Sequence, residues 1–287
     1  MRFLPLCPLK PKMMTIILKL CSGMLLGFSL AAAMPETGLK PVFFENFENP
    51  DNGPYKRFVE DIERFGWTEI LPDIGVNGGH GLRVQYKGTK GGSSQSIIDF
   101  VLPSSGLEMT LNFDVMFEEG FQFVLGGKLN GLGPLHKVTG GREMKPDGWS
   151  ARIMWRNEGV VENYLYHQNK SGQYGERGTR TNPYKFDTGQ YHAVSIHVRV
   201  NEDPDEATGF SRVYIDGVLV DASENMQFRA VATPESEICQ FLFSTFHGGH
   251  TPKYAPKDKD GNYISVYARY DNIVVSQGEH IRKEPGA

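Results

Sequence analysis

Residues 148–156 read G-W-S-A-R-I-M-W-R. In an extended strand successive side chains point to opposite faces, so Ser150 and Arg152 share one side and Ala151, Ile153 and Trp155 the other. A hydroxyl and a guanidinium are thereby presented together, while an apolar row is left for a core. The same spacing puts Tyr164 and Tyr166 on one face in N-Y-L-Y-H, and upstream Lys128 closes the run F-Q-F-V-L-G-G-K. Two cations, a hydroxyl and two phenols lining one groove would suit an acidic sugar. Arginine grips a carboxylate through two parallel N–H donors, and a phenol can give or take a proton. Cations beside a phenol favour its ionised form, so these tyrosines are expected to titrate below their usual value of about 10.

Such a groove needs strands to carry it. Period-2 alternation or short apolar runs predict strands over 42–47, 81–86, 107–117, 121–125, 149–155, 164–167, 191–200, 212–215, 218–220, 238–245, 263–267 and 272–276. Asp216 and Gly217, between R-V-Y-I and V-L-V, both tolerate positive φ and predict a tight hairpin. Only 55–65 has a helical pattern. With 33 glycines and 17 prolines scattered along the chain, turns between short strands outweigh long helices. The expectation is an all-β sandwich of two antiparallel sheets, one of them forming a concave substrate groove.

The formal net charge of -4 gives no support to a nucleic-acid or anionic-membrane partner, so a polyanionic ligand requires a local basic groove. Lys10, Lys12 and Lys19 precede an apolar stretch over 20–30 and then Ala31, Ala32 and Ala33. This reads as a secretory signal over 1–33, too short in its apolar part for a membrane span, followed by one domain over 34–287. The mature protein is then expected to be secreted or periplasmic, with no membrane attachment. Cys7 and Cys21 fall in the leader, which leaves Cys239 without an intramolecular partner and best read as a buried thiol.

Several ordered blocks resemble the alginate lyases of polysaccharide lyase family 14, and the related glucuronan lyases: G-G-K-L-N-G at 126–131, G-W-S-A-R-I-M-W-R at 148–156, Y-L-Y-H at 164–167 and S-T-F-H-G-G-H at 244–250. The resemblance spans most of the mature chain. It implies a β-jelly-roll, cleavage of a 4-linked uronic-acid polymer by β-elimination, and Lys128, Ser150, Arg152, Tyr164 and Tyr166 as the functional set. Alginate, as poly-mannuronate, is the expected substrate, with glucuronan the alternative. Elimination takes the proton at C5 and expels the oxygen at C4. Its enolate-like intermediate is stabilised by preorganised cations and donors. Lys128 and Arg152 are expected to offset the carboxylate and Ser150 to add a hydroxyl donor. One of the two tyrosines is expected to serve as base and acid. No cofactor is required. The chain departs from the family pattern at Asn130, where a proline is usual, and at His247, which replaces a common aromatic.

Further substrate-binding candidates are His80 and Arg83 in G-G-H-G-L-R, Gln122, and His247. His247 and His250 have zinc-like spacing but lack a third ligand nearby. Glu45 or Glu48 with Asp271 is a candidate structural calcium site where the first and last strands meet. The insert over 134–147, with Lys137, Arg142 and Lys145, is either a basic lid or a solvated loop, and its composition favours the loop. A noncatalytic lectin would lack the cation and tyrosine constellation. A glycosidase would need two spaced carboxylates, and the core blocks contain none.

Overall fold

In the computed structural model, which describes residues 41–51 and 53–287, the alternating rows pair into two antiparallel sheets. The leader assigned to 1–33 lies outside the described residues. The chain runs through β1 (Phe43–Glu45), α1 (Lys56–Glu63), β2 (Thr68–Leu71), β3 (Gly81–Thr89), β4 (Gly92–Ser93), β5 (Ser96–Gly106) and β6 (Glu108–Phe117). The middle of the chain supplies β7 (Gly126–Gly133), β8 (Ser150–Arg156), β9 (Val161–Tyr166), β10 (Glu176–Arg177) and β11 (Thr179–Arg180). Then come β12 (Tyr191–Arg199), β13 (Gly209–Ile215), β14 (Val218–Met226), β15 (Ile238–His247) and β16 (Ser265–Gln277). The larger sheet has the order β11-β14-β13-β12-β6-β16-β3-β2, with β1 on β16 and β4 on β3; the smaller is β10-β9-β8-β7-β15-β5. Long crossovers bring β15 between β5 and β7, and β16 between β3 and β6. The result is the expected jelly-roll sandwich.

The core lies between the sheets. β6 sends in Met109, Leu111, Phe113, Val115 and Phe117, and the smaller sheet answers with Ala151, Ile153, Trp155, Phe241 and Phe243. Each fully buried ring contributes about 1.5–3 kcal/mol. α1 forms because Phe58, Val59 and Ile62 make one buried face; Phe58 packs edge-on against Phe43, with ring centroids 5.3 Å apart. The Asp216–Gly217 hairpin is present, with φ of 50° and 77°. The residues predicted as two strands over 263–267 and 272–276 fuse into β16, whose pairing with β6 slips between Asp271 and Val274.

β2, β4, β5, β7, β10 and β11 fall outside the predicted strands, and β7 is the instructive case. The apolar run 121–125 is not a strand, and the glycine-rich stretch after it is β7. A Cβ on Gly127 would lie 2.0 Å from the Trp155 ring, and one on Gly131 2.6 Å from Arg152 Cγ. Glycine is required because the side chains of β8 and the backbone carbonyls of Ala151 and Phe246 crowd the β7 backbone. β7 is bulged against both neighbours, between Lys128 and Gly131 on one side and between Leu242 and Phe246 on the other. Such irregularities bend a sheet and interrupt its ladder. Asn130 fills the gap: its carboxamide oxygen accepts the Ser244 N–H at 3.1 Å, which a proline there could not do.

Candidate active site

The β8–β9 ladder fixes the centre of the smaller sheet's outer face. Ser150 pairs with Tyr166, Arg152 with Tyr164 and Met154 with Glu162, and directly opposed residues share a face. Lys128 of β7 pairs with Met154 on its other side. The five residues expected to act together are therefore contiguous. The Lys128 ammonium stands 3.8 Å from the Tyr164 ring centroid and 2.7 Å from Met154 Sδ. Arg152 and Arg156 approach the same ring, with Cζ at 5.9 and 5.8 Å. The two tyrosine rings meet edge to face at 5.9 Å.

The insert 134–147 packs onto this surface instead of standing free in solvent. Val138 joins Met154, Tyr164 and Tyr166 in a small apolar cluster outside the main core. Tyr166 Oη accepts the Gly141 N–H at 2.8 Å, Ser150 Oγ donates to Val138 O at 2.9 Å, and Lys137 pairs with Asp99 of β5. A lid, rather than the favoured solvated loop, is what the residues build. Ser150 spends its proton on the lid backbone, so it seats the lid instead of donating into the groove. Tyr166 is likewise fully buried beneath the lid. Tyr164 accepts the Gly175 N–H at 3.0 Å and is 8% exposed, where Tyr166 is not exposed at all.

Charge at the site departs from the expectation in one respect. Burial, followed by the neighbouring Tyr166, pushes the Tyr164 phenol up to about 12, outweighing the nearby Arg152 that would lower it. Lys128 moves the other way, well below the ordinary lysine range, because burial and then Arg152 and Arg156 disfavour its charged form. Arg152 is 7 % exposed, makes no side-chain hydrogen bond among the described residues, and has a buried Nε with no partner. Arg229 by contrast donates to Asn201, Glu202 and Ser236, and Arg282, although its Nε also lacks a partner, has its charge paired with Asp114. A desolvated cation without a counter-charge is costly unless a ligand supplies one.

The four additional substrate-binding candidates are placed elsewhere. His80 and Arg83 belong to the larger sheet's side of the molecule. His80 Nδ1 lies 3.1 Å from Glu48, and Arg83 makes a bidentate pair with Glu118 while stacking 3.8 Å over Tyr267. Both ends of the Gln122 carboxamide bind the Lys257 backbone. His247 is fully buried among Tyr86, Phe121 and Trp155, and its Nε2 donates to Gln122 O at 2.7 Å. It replaces an aromatic by acting as one. Burial holds it down to about 4, so it is a neutral ring in the core. At the calcium candidate, Glu45 accepts the Phe47 N–H, Glu48 faces His80, and Asp271 accepts from Val76 and Asn272. Among the described residues no three His, Cys, Asp or Glu side chains gather with metal-binding geometry.

Residues outside the sequence-based set complete the face. Met154 and Arg156 continue the Ser150–Arg152 row, and Glu162 continues the Tyr164–Tyr166 row. The period-2 rule, carried two residues further along each strand, would have found them.

The two-sheet jelly-roll is the fold of solved alginate lyases. The family model described as polysaccharide lyase 14 matches residues 77–266, well over half of the chain, and the protein belongs to that family. Among solved structures it is similar to alginate lyase Aly36B, at 23% identity over 83% of this chain and 98% of that one, with a TM-score of 0.62. The marine alginate lyase from Aplysia kurodai gives 22% identity, 83% and 99% coverage, and a TM-score of 0.59. The endo-β-1,4-glucuronan lyase of the fungus Trichoderma reesei gives 16% identity, 83% and 96% coverage, and a TM-score of 0.53. At these identities the likeness establishes the fold. No curated protein matches the chain.

Proposed function

We propose that this polysaccharide lyase cleaves a 4-linked uronic-acid polymer, alginate in its mannuronate-rich stretches before glucuronan, by β-elimination, and that it acts after export. The leader-like residues 1–33 support export, and the solved alginate lyases of the same fold support the substrate class. The observation that carries the reading is Arg152, a buried guanidinium without a counter-ion in the middle of the groove face. A uronate carboxylate supplies the missing charge and accepts its donors.

With the carboxylate held there, its charge no longer opposes loss of the neighbouring C5 proton. Lys128, whose surroundings favour the neutral amine, takes that proton. The C5–H electrons form the C4=C5 double bond and the C4–O bond breaks. Tyr164, kept protonated by burial, gives its phenolic proton to the departing oxygen. The ammonium, which stands over the phenol ring, then returns a proton to the phenolate oxygen through water. Atoms and charge balance without a water nucleophile or a redox step. This assigns the base to Lys128 and the acid to Tyr164, in place of the expectation that tyrosine does both.

The test is to incubate the purified protein with polymannuronate, glucuronan and pectate and follow the ultraviolet absorbance of the unsaturated uronate. The fastest rise is expected on polymannuronate. A fastest rise on glucuronan would reassign the substrate. New reducing ends without absorbance would point to hydrolysis, and binding without either to a lectin.

A further inference from the structure

Beside Tyr164 the groove face carries a charged cluster of which only Arg156 bears on the elimination step, through its charge near Lys128. Glu162 lies two residues before Tyr164 on the same face, and its side chain is only 2% exposed. Arg156 Nε donates to Glu162 Oε1 at 2.7 Å, with its Nη2 also on that oxygen, and Arg180 Nη2 donates to Oε2 at 3.1 Å. Two arginines share this one carboxylate, and the buried Asp221, opposite Arg180 in the ladder, is the second acid nearby. The two arginine side chains are 32% and 35% exposed, and each has more N–H donors than Glu162 uses. Arg177, exposed on β10, stands directly opposite Tyr164 in the ladder.

The other flank is different in kind. Beyond Arg152 the face continues over Leu242 to Asp99, whose charge Lys137 balances, with the exposed apolar side chains of Ile97 and Val101 on either side. The arginine pair on the β9 side begins where the reacting residues end, since Arg156 already borders the Tyr164 ring.

We infer that Arg156 and Arg180, splayed on the buried carboxylate of Glu162, form a second carboxylate-binding subsite that grips a further uronate of the same polymer on the β9 side of the reacting sugar. The inference rests on the proposed polyuronate substrate. Glu162 is its positioning residue: by binding both guanidiniums it fixes their direction and leaves their outer donors free. Acting alone, two exposed arginines would lose more side-chain entropy on gripping a ligand than a pair already held.

Arg180→Gln tests it, because Arg156 still pairs with Glu162 in that variant and the fold keeps its buried ion pair. The quantity read is kcat/KM on the polymer divided by kcat/KM on the shortest oligouronate that is cleaved. A lost charge-assisted hydrogen bond predicts a fall of about tenfold in that ratio. Arg180→Lys should recover part of it. Lys185→Gln, which removes one exposed positive charge paired with Glu158, should leave the ratio unchanged. An unchanged ratio in Arg180→Gln, or an equal fall in Lys185→Gln, overturns the subsite. Retardation in gels containing the polyuronate reads the same subsite without turnover, with Arg180→Gln expected to migrate faster than the unaltered protein. A protein that yields no unsaturated product would sink the elimination reading, while the gel comparison would still decide on the subsite.

Discussion

Lys128 and Tyr164 meet face-on, the ammonium nitrogen 3.8 Å above the centre of the phenol ring, although they come from strands separated by β8. The contact puts a nitrogen whose proton is weakly held beside a phenol whose proton is firmly held. Tyr164→Phe keeps the ring and the contact but removes the proton donor. Lys128→Met keeps the stem and removes the base. Each is expected to lower kcat about 10²–10⁴-fold while oligouronate affinity changes little. Initial ultraviolet rates and calorimetric titration measure the two quantities. Full activity in either variant would end the assignment of that residue.

The pH profile follows from the same pair. A base must be unprotonated, so kcat/KM rises as pH climbs through the depressed Lys128 value and then levels off. The alkaline fall waits for Tyr164, near about 12, so the plateau is broad. Arg156 is one of the cations depressing Lys128, so Arg156→Gln should move the acid limb to higher pH. An acid limb that stays in place in this variant would show that some other group governs it.

Tyr166 is expected to behave differently from its neighbour. It is buried, and its oxygen is engaged with the Gly141 N–H of the lid. Tyr166→Phe therefore frees the lid from one anchor while leaving Lys128, Arg152 and Tyr164 in place. The expected result is a several-fold rise in KM with kcat largely kept, and faster amide exchange over 136–144. If kcat instead collapses as in Tyr164→Phe, Tyr166 takes part in proton transfer.

Much of this face is legible in the chain because a strand's period of two is a local property. Ser150 and Arg152 separate from Ala151, Ile153 and Trp155 by that rule alone, and so do the paired tyrosines. β7 was hidden because its glycines are demanded by neighbouring strands, through the Trp155 ring at Gly127 and the Ala151 carbonyl and Arg152 at Gly131. β5 was hidden for the opposite reason: Ile97 and Val101 face outward while Ile98, Phe100 and Leu102 face inward, so the run does not alternate in polarity. His80 and Arg83 read as groove residues only until the sheet order assigns β3 to the other layer. The rise at Tyr164 depends on how deeply the ring is buried, and local spacing does not encode that. Counting the nearby cations predicted a fall, but desolvation is the larger effect here.

The C-terminal segment offers a test of the scaffold apart from the chemistry. Residues 278–286 cover the outer face of β6, where Thr110 and Asn112 bind the backbone of Gly278 and His280. Arg282, 10% exposed, pairs at 2.8 Å with Asp114, which is fully buried and also accepts from Asn272 and Gly286. Burial raises Asp114, and Arg282 is the largest opposing influence. Arg282→Ala leaves that carboxylate desolvated without its cation, at an expected cost of about 3–5 kcal/mol. The sign of the pH dependence is fixed by the direction of the shift. Without Arg282 the folded-state value rises further above the unfolded one, so the folded form prefers the protonated acid, and stability is lost as pH rises through the folded value. Urea unfolding should therefore find a larger deficit at pH 8 than at pH 5, and Asp114→Asn in the same chain should remove most of the difference. A deficit equal at both pH values would mean that Arg282 supports the sheet through packing of its stem and not through charge.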